Sequence, residues 1–137
     1  MSDNFNLECP IIKIEHIAIW VKDLDKMKEF YQTYFGAKSS NLYHNQKTGF
    51  KSYFLTFDNG CRVELMNKSD ISQTKSENNL GYAHISFSVG SKDNVDLLTD
   101  ELRKNDVYIN TEPRTTGDGY YESSILDPEG NVIEITE

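Results

Sequence analysis

The chain has 137 residues, 37% hydrophobic and 26% charged, which fits one globular domain or two small halves sharing a core and excludes a disordered chain. A formal net charge of -8 opposes a nucleic-acid backbone and an anionic membrane surface, so neither is an expected partner. Two cysteines without CxxC spacing (Cys9 and Cys61), no apolar run of membrane-spanning length and a polar start over Met1–Leu7 predict free thiols in a soluble cytoplasmic protein.

Residues 1–10 read as a leader ending at Pro10. From Ile11 to Val21 the chain alternates: Ile14, His16, Ala18 and Trp20 on one face, Glu15, Ile17, Ile19 and Val21 on the other, the period of a strand. Asp23 caps a predicted helix with an apolar stripe of Leu24, Met27, Tyr31 and Tyr34, and Gly36 stops it. Strands are predicted near Lys38–His44, Phe50–Phe57 and Cys61–Met66, the last two joined by a turn at Asp58-Asn59-Gly60. Polar residues without an apolar period follow, a linker over 68–80.

The pattern then restarts. Gly81–Val89 alternates, with His84, Ser86 and Ser88 on one face. Ser91 caps a second helix carrying Val95, Leu98 and Leu102, with Asn105 as its stop. Strands follow near Val107–Thr111, Tyr120–Leu126 and Asn131–Thr136, with a turn at Asp127-Pro128-Glu129-Gly130. The expected fold class is therefore α+β, two tandem βαβββ modules (11–67 and 81–137) forming one domain around a curled mixed sheet. The repeat is visible in residues as well: Glu15-His16-Ile17 against Ala83-His84-Ile85, and Gly60-Cys61-Arg62-Val63-Glu64-Leu65 against Gly130-Asn131-Val132-Ile133-Glu134-Ile135.

In each module the His of the first strand and the Glu of the last lie opposite the aliphatic set. If the aliphatic faces pack on the helices, His16, Glu64, His84 and Glu134 share the other side, and a curled sheet would gather them. Two carboxylates in such a cup repel each other. One divalent cation cancels their charge, and two neutral imidazoles complete a mixed nitrogen and oxygen donor set. The expected cofactor is one divalent transition metal, and this donor set suits Zn, Ni, Co, Mn or Fe. Weaker candidates for substrate contact are Trp20 on the His16 face, Arg114, and Tyr120 and Tyr121 after the loop 115–119.

Ile14-Glu15-His16-Ile17-Ala18-Ile19 with Phe30-Tyr31 and Phe35-Gly36, and Leu126-Asp127-Pro128-Glu129-Gly130-Asn131-Val132-Ile133-Glu134-Ile135, resemble the vicinal oxygen chelate superfamily over nearly the whole chain. The order His16, Glu64, His84, Glu134 is similar to that of bacterial glyoxalase I, lactoylglutathione lyase. This resemblance implies a metal-dependent lyase or isomerase in which a substrate's adjacent oxygens chelate the ion and an enediolate forms. Glu134 would then be the catalytic base, with Glu64 on the opposite side. A His as first ligand is similar to the bacterial type and favours Ni or Co. A homodimer and a small α-hydroxycarbonyl or hemithioacetal substrate are implied as well. The chain departs from glutathione-using members, with Trp20 where they carry Arg and Lys68 where they carry Asn, which argues against glutathione. The alternatives are a metal-free module that binds an antibiotic or other small molecule, and another metalloenzyme of the same fold such as an epimerase.

Overall fold

A computed structural model describes residues 12–73 and 80–137. The leader and the centre of the linker lie outside them. The first module runs β1 (His16–Trp20), α1 (Leu24–Phe35), β2 (Lys38–Ser39), β3 (Tyr43–His44), β4 (Lys51–Thr56) and β5 (Arg62–Asn67). The second runs β6 (His84–Ser88), α2 (Lys92–Lys104), β7 (Ile109–Thr115), β8 (Tyr121–Leu126) and β9 (Val132–Thr136). This is the expected α+β architecture, with the strand material divided into two mixed sheets, one per module. No helix among the described residues is long and apolar enough to cross a membrane.

The helix ends follow local chemistry. The Asp23 carboxylate accepts from the Lys26 N–H at 3.0 Å, and Gly36 closes α1 in the left-handed region at φ 66°. Ser91 accepts from the Asn94 N–H at 3.2 Å to start α2. At its end Asn105 is the cap, and the left-handed residue that turns the chain is the next one, Asp106, at φ 60°. The strand predicted over Lys38–His44 is broken into β2 and β3. At the break the Ser40 hydroxyl accepts the Phe54 N–H at 2.9 Å, taking a place in the ladder that a carbonyl would otherwise hold.

The first sheet has the order β1-β5-β4-β2, with β3 also on β4; the second has the order β6-β9-β8-β7. β1 runs parallel to β5 and β6 parallel to β9, while the other pairs are antiparallel. Among the described residues the His-bearing strand of each module is therefore an edge strand, paired with one neighbour.

One buried cluster unites the modules. It takes in Met27, Phe30 and Tyr31 of α1, Val95 and Leu102 of α2, and the inward residues Leu55, Val63, Leu65, Ile125, Ile133 and Ile135. Each side chain of this size contributes roughly 1.5–3 kcal/mol on burial. Phe87 stacks on Phe35 with centroids 4.5 Å apart and lies 5.1 Å from Phe57, so β6 packs directly on the first module. The Tyr31 hydroxyl donates to Asp127 at 2.7 Å within this core. Burial, and then the Asp127 charge, push the Tyr31 phenol far above its ordinary range, so it stays a neutral donor. Asp127 also accepts the backbone N–H groups of Glu129 and Asn131, each at 2.9 Å, which fixes the last turn. In α2 the apolar stripe is widened by Thr99, fully buried, whose hydroxyl donates to the Val95 carbonyl at 2.6 Å and lies 2.7 Å from the Ser123 hydroxyl.

Candidate metal centre

Because Val63 and Leu65 point into the core, Glu64 points away from it, and the same holds for Glu134 between Ile133 and Ile135. The parallel registers Ala18↔Glu64 and Ser86↔Glu134 place each His diagonally across from its Glu on that outer face. His16 Nε2 lies 3.8 Å from Glu64 Oε1, and His84 Nε2 lies 3.2 Å from Glu134 Oε2. The imidazoles are 40% and 41% exposed and the carboxylates 14% and 23%, so the nitrogens are accessible while the acids are shielded by the strands beside them.

The structure thus joins the four sequence-predicted ligands as two pairs. It does not gather them at one point of a single chain: among the described residues no three His, Cys, Asp or Glu side chains are close enough to share an ion. The reason is the core. Both aliphatic faces turn into the shared core, and among the described residues the two outer-face pairs stay apart instead of closing into one cup.

Each pair nevertheless fits a divalent transition ion. Two donors bound about 2.1 Å from one ion at right angles lie roughly 3 Å apart. The His84–Glu134 spacing is already of that order, and the His16–Glu64 spacing is slightly wider. An imidazole and a carboxylate from each module make up the mixed donor set such ions take.

The surroundings of the two pairs differ. His16 Nδ1 lies 3.5 Å from Glu15 Oε1. Glu15 is bound by Arg62, with Nε donating at 3.0 Å and Nη2 completing the fork. The Arg62 hydrogen bond holds the Glu15 carboxyl below its ordinary range. The Arg62 guanidinium lies 4.0 Å above the Phe54 ring, which meets His16 edge-on at 5.3 Å. Further along the same face Trp20 packs edge-on against Phe50 at 6.2 Å, and the Lys68 ammonium sits 5.2 Å over its ring. The two positions that depart from the glutathione-using pattern, Trp20 and Lys68, are therefore in contact with each other.

Beside Glu134 the walls are polar. A cleft of about 210 Å³ is lined by Asn110, Thr111, Arg114, Glu122 and Ser124 along with Glu134. Glu122 is a site residue the sequence reading missed. Alternation in β8, with Ser123 and Ile125 fully buried, was the signal that puts Glu122 and Ser124 on the Glu134 side. Burial, and then the Glu134 charge, push the Glu122 carboxyl above its ordinary range. Tyr121 is turned the other way, its hydroxyl donating to Asp96 of α2 at 2.5 Å, and Tyr120 is exposed at the loop end. The loop is closed on itself by the Thr116 N–H to Tyr120 carbonyl bond at 2.7 Å, the geometry of a hairpin connection. His44 is exposed and Cys61 half-buried with a free thiol; Cys9 lies outside the described residues. A larger cavity of about 590 Å³, at the start of α1, contains none of the four ligand candidates.

The sequence pattern of the Glyoxalase/Bleomycin resistance protein/Dioxygenase superfamily matches residues 13–135. The chain belongs to this superfamily. Among solved structures it is similar to the trypanothione-dependent glyoxalase I of Leishmania major, with 25% identity over 93% of this chain and 87% of that one and a TM-score of 0.76. A glyoxalase/bleomycin resistance protein/dioxygenase domain from Frankia aligns at a TM-score of 0.79, with 20% identity over 92% and 97% of the two chains. A lactoylglutathione lyase from Agrobacterium tumefaciens aligns at 0.67, with 22% identity over 93% and 95%. Among curated proteins none matches the chain. These likenesses establish the superfamily and its fold and place glyoxalase I enzymes among the structural neighbours.

Proposed function

We propose that this superfamily member is a metal-dependent lyase or isomerase of the glyoxalase type, acting on a small α-hydroxycarbonyl or hemithioacetal. We further propose that its metal centre is completed between two chains. The observation that carries this reading is the duplicated His–Glu pair, each on the outer face of an edge strand and its parallel neighbour. A lone His–Glu pair is half a ligand set. Two such pairs held apart in one chain are complementary halves for a symmetric dimer, with His16 and Glu64 of one protomer meeting His84 and Glu134 of its partner. The outer edges of β1 and β6, unpaired among the described residues, offer the surface for that association.

A bound divalent ion, Ni, Co or Zn, supplies Lewis acidity toward two adjacent substrate oxygens. The chain supplies the rest. His16 and His84 act as neutral nitrogen donors, the first oriented by Glu15 through Nδ1. Glu134 takes the proton from the hydroxyl-bearing carbon and returns it to the adjacent carbonyl carbon, while the hydroxyl proton passes to the former carbonyl oxygen; Glu64 is its counterpart on the first module. Phe54 and Trp20 form the apolar wall that keeps water from that carbon. The neighbours named as glyoxalase I and lactoylglutathione lyase support the class. The Trp20–Lys68 contact argues against the tripeptide, since neither residue there provides the carboxylate-binding pattern of glutathione-using members.

Elemental analysis of the purified protein is expected to find about one transition-metal ion per chain, as a two-fold dimer with two sites requires. Glu134→Gln is expected to lose metal and to lower turnover about 10²–10⁴-fold. Absence of metal after reconstitution with Ni, Co and Zn would sink the enzyme reading in favour of a metal-free binding module. Hemithioacetals of methylglyoxal with glutathione are expected to be poor substrates, and turnover matching a dedicated glyoxalase I would overturn the reading of Trp20 and Lys68.

A further inference from the structure

We propose that Arg114, with Asn110, Thr111 and Ser124 beside it, forms a subsite for an oxyanion carried by the substrate, a carboxylate or phosphate adjacent to its reacting carbon. The inference rests on the proposed function for the position of that carbon, at Glu134, and goes beyond it in naming what the substrate must carry.

The backbone supplies the first reason. A regular strand would send Asn110 and Arg114 to one face and Thr111 to the other. β7 is irregular: its register on β8 shifts between Ile109 and Thr111 and again between Thr111 and Arg114, the second shift spanning Glu112-Pro113. Bulges re-aim side chains, and a proline inside a strand is tolerated on an edge such as β7. The result is that Asn110, Thr111 and Arg114 all line the one cleft that Glu134 also lines.

The hydrogen bonds supply the second. Asn110 Nδ2 donates to Ser124 Oγ at 3.0 Å, Arg114 Nη1 donates to Thr111 Oγ1 at 3.2 Å, and the two hydroxyls lie 2.7 Å apart. Each hydroxyl has one proton. Their mutual bond uses one of the two and leaves the other to donate into the cleft. Arg114 commits one N–H to Thr111; the Glu122 carboxyl, its partner in the register, feels its charge but forms no ion pair with it among the described residues. A guanidinium with uncommitted donors and a spare hydroxyl proton, side by side, suit a planar or tetrahedral anion. The equivalent position to Ser124 in the first module, opposite the ligand Glu, is Phe54, so this polar cleft is not a by-product of the repeat.

The test uses lactate, dihydroxyacetone phosphate and neutral dihydroxyacetone as probes of the reconstituted protein. Binding is read from the Arg114 Nε–H resonance and by calorimetry, with metal content measured on each sample. At least one anion is expected to bind about tenfold or more tightly than dihydroxyacetone, the effect of a charge-assisted hydrogen bond, and to shift the Arg114 resonance. Arg114→Gln is expected to abolish that preference while leaving dihydroxyacetone binding within about twofold, and Arg114→Lys to recover part of it. Whether lactate or the phosphate benefits identifies the anion. Equal binding of all three probes to the wild type, or a preference that survives in Arg114→Gln, overturns the subsite. Metal at about one ion per chain with no anion preference sinks the subsite alone. An Arg114-dependent preference in a protein that takes up no metal sinks the metal reading alone.

Discussion

The two modules hold the same His–Glu pair and surround it with opposite chemistry. Equivalent positions follow from the strand registers. Glu15 and Arg62 flank His16, where the second module has Ala83 and Val132; Phe54 lies opposite Glu64, where the second has Ser124 opposite Glu134; and Trp20 stands where the second has Ser88. The first module therefore orients its imidazole with a carboxylate–guanidinium pair and walls the site with aromatic rings. The second leaves its imidazole without a carboxylate at Nδ1 among the described residues and opens a polar cleft. Backbone differences run the same way, since the strand after the helix is split at Ser40 in the first module and bulged around Pro113 in the second. Duplication preserved the donors and let the walls diverge, which divides the labour into metal orientation and apolar shielding on one side and substrate polar recognition on the other.

That division requires the halves to meet, and the sharpest way to break it is complementation. His16→Ala and His84→Ala each remove one donor from every site and are expected to abolish activity separately. If sites form between chains, refolding the two variants together makes mixed dimers in which one site is doubly damaged and the other intact. Random pairing then restores roughly a quarter of wild-type sites. Activity or stoichiometric metal binding that stays at the single-variant level after mixing would show that each chain completes its own site, and the interchain centre would fall.

Much of this is legible in the sequence. Asp23, Gly36 and Ser91 marked the helix ends because capping is chemistry between near neighbours. The outer-face position of all four ligand candidates followed from period-two alternation, which a strand enforces residue by residue. What escaped depends on distant partners. Thr99 breaks an apolar stripe and is nevertheless fully buried, because Ser123 on another element satisfies it. The break at Ser40 needs Phe54 across the ladder. Whether the four donors meet within one chain or between two was not legible, because the shared core, not either module's pattern, decides where the two pairs lie.

A middle-sized effect sharpens the contrast in orientation. Glu15→Gln keeps the size of the side chain and weakens both the Arg62 fork and the contact to His16 Nδ1. Outer partners of ligating imidazoles are worth about 10–100-fold in metal affinity. The exposure of Glu15 places the expected loss near the lower bound, about tenfold in a chelator competition titration. Changing Ala83 to Ser, at the matching position of the second module, is expected to leave affinity within about twofold, the ordinary effect of a surface substitution. Equal losses at the two positions would erase the proposed difference between the modules.

The smallest expected effect concerns what holds the bulged strand. Arg103 of α2 grips Glu112 with two donors, each at 2.6 Å, and Glu112 lies within the second of the two register shifts, between Thr111 and Arg114 of the cleft. The pair is exposed, so its effect is local. The Arg103 hydrogen bond lowers the Glu112 carboxyl below its reference value of 4.5. A carboxylate with a lowered folded-state pKa favours the folded arrangement fully above 4.5, and that preference disappears as pH falls through the lower, folded value. Glu112→Gln is therefore expected to speed amide hydrogen exchange across residues 110–114 at neutral pH and low salt. The difference from wild type should shrink as acid protonates Glu112, and also at high ionic strength, which screens an exposed pair. Exchange rates that differ equally at neutral and acid pH would mean that the glutamate holds the bulge by packing rather than by charge. The polar cleft would then owe its shape to Pro113 and the β8 ladder alone.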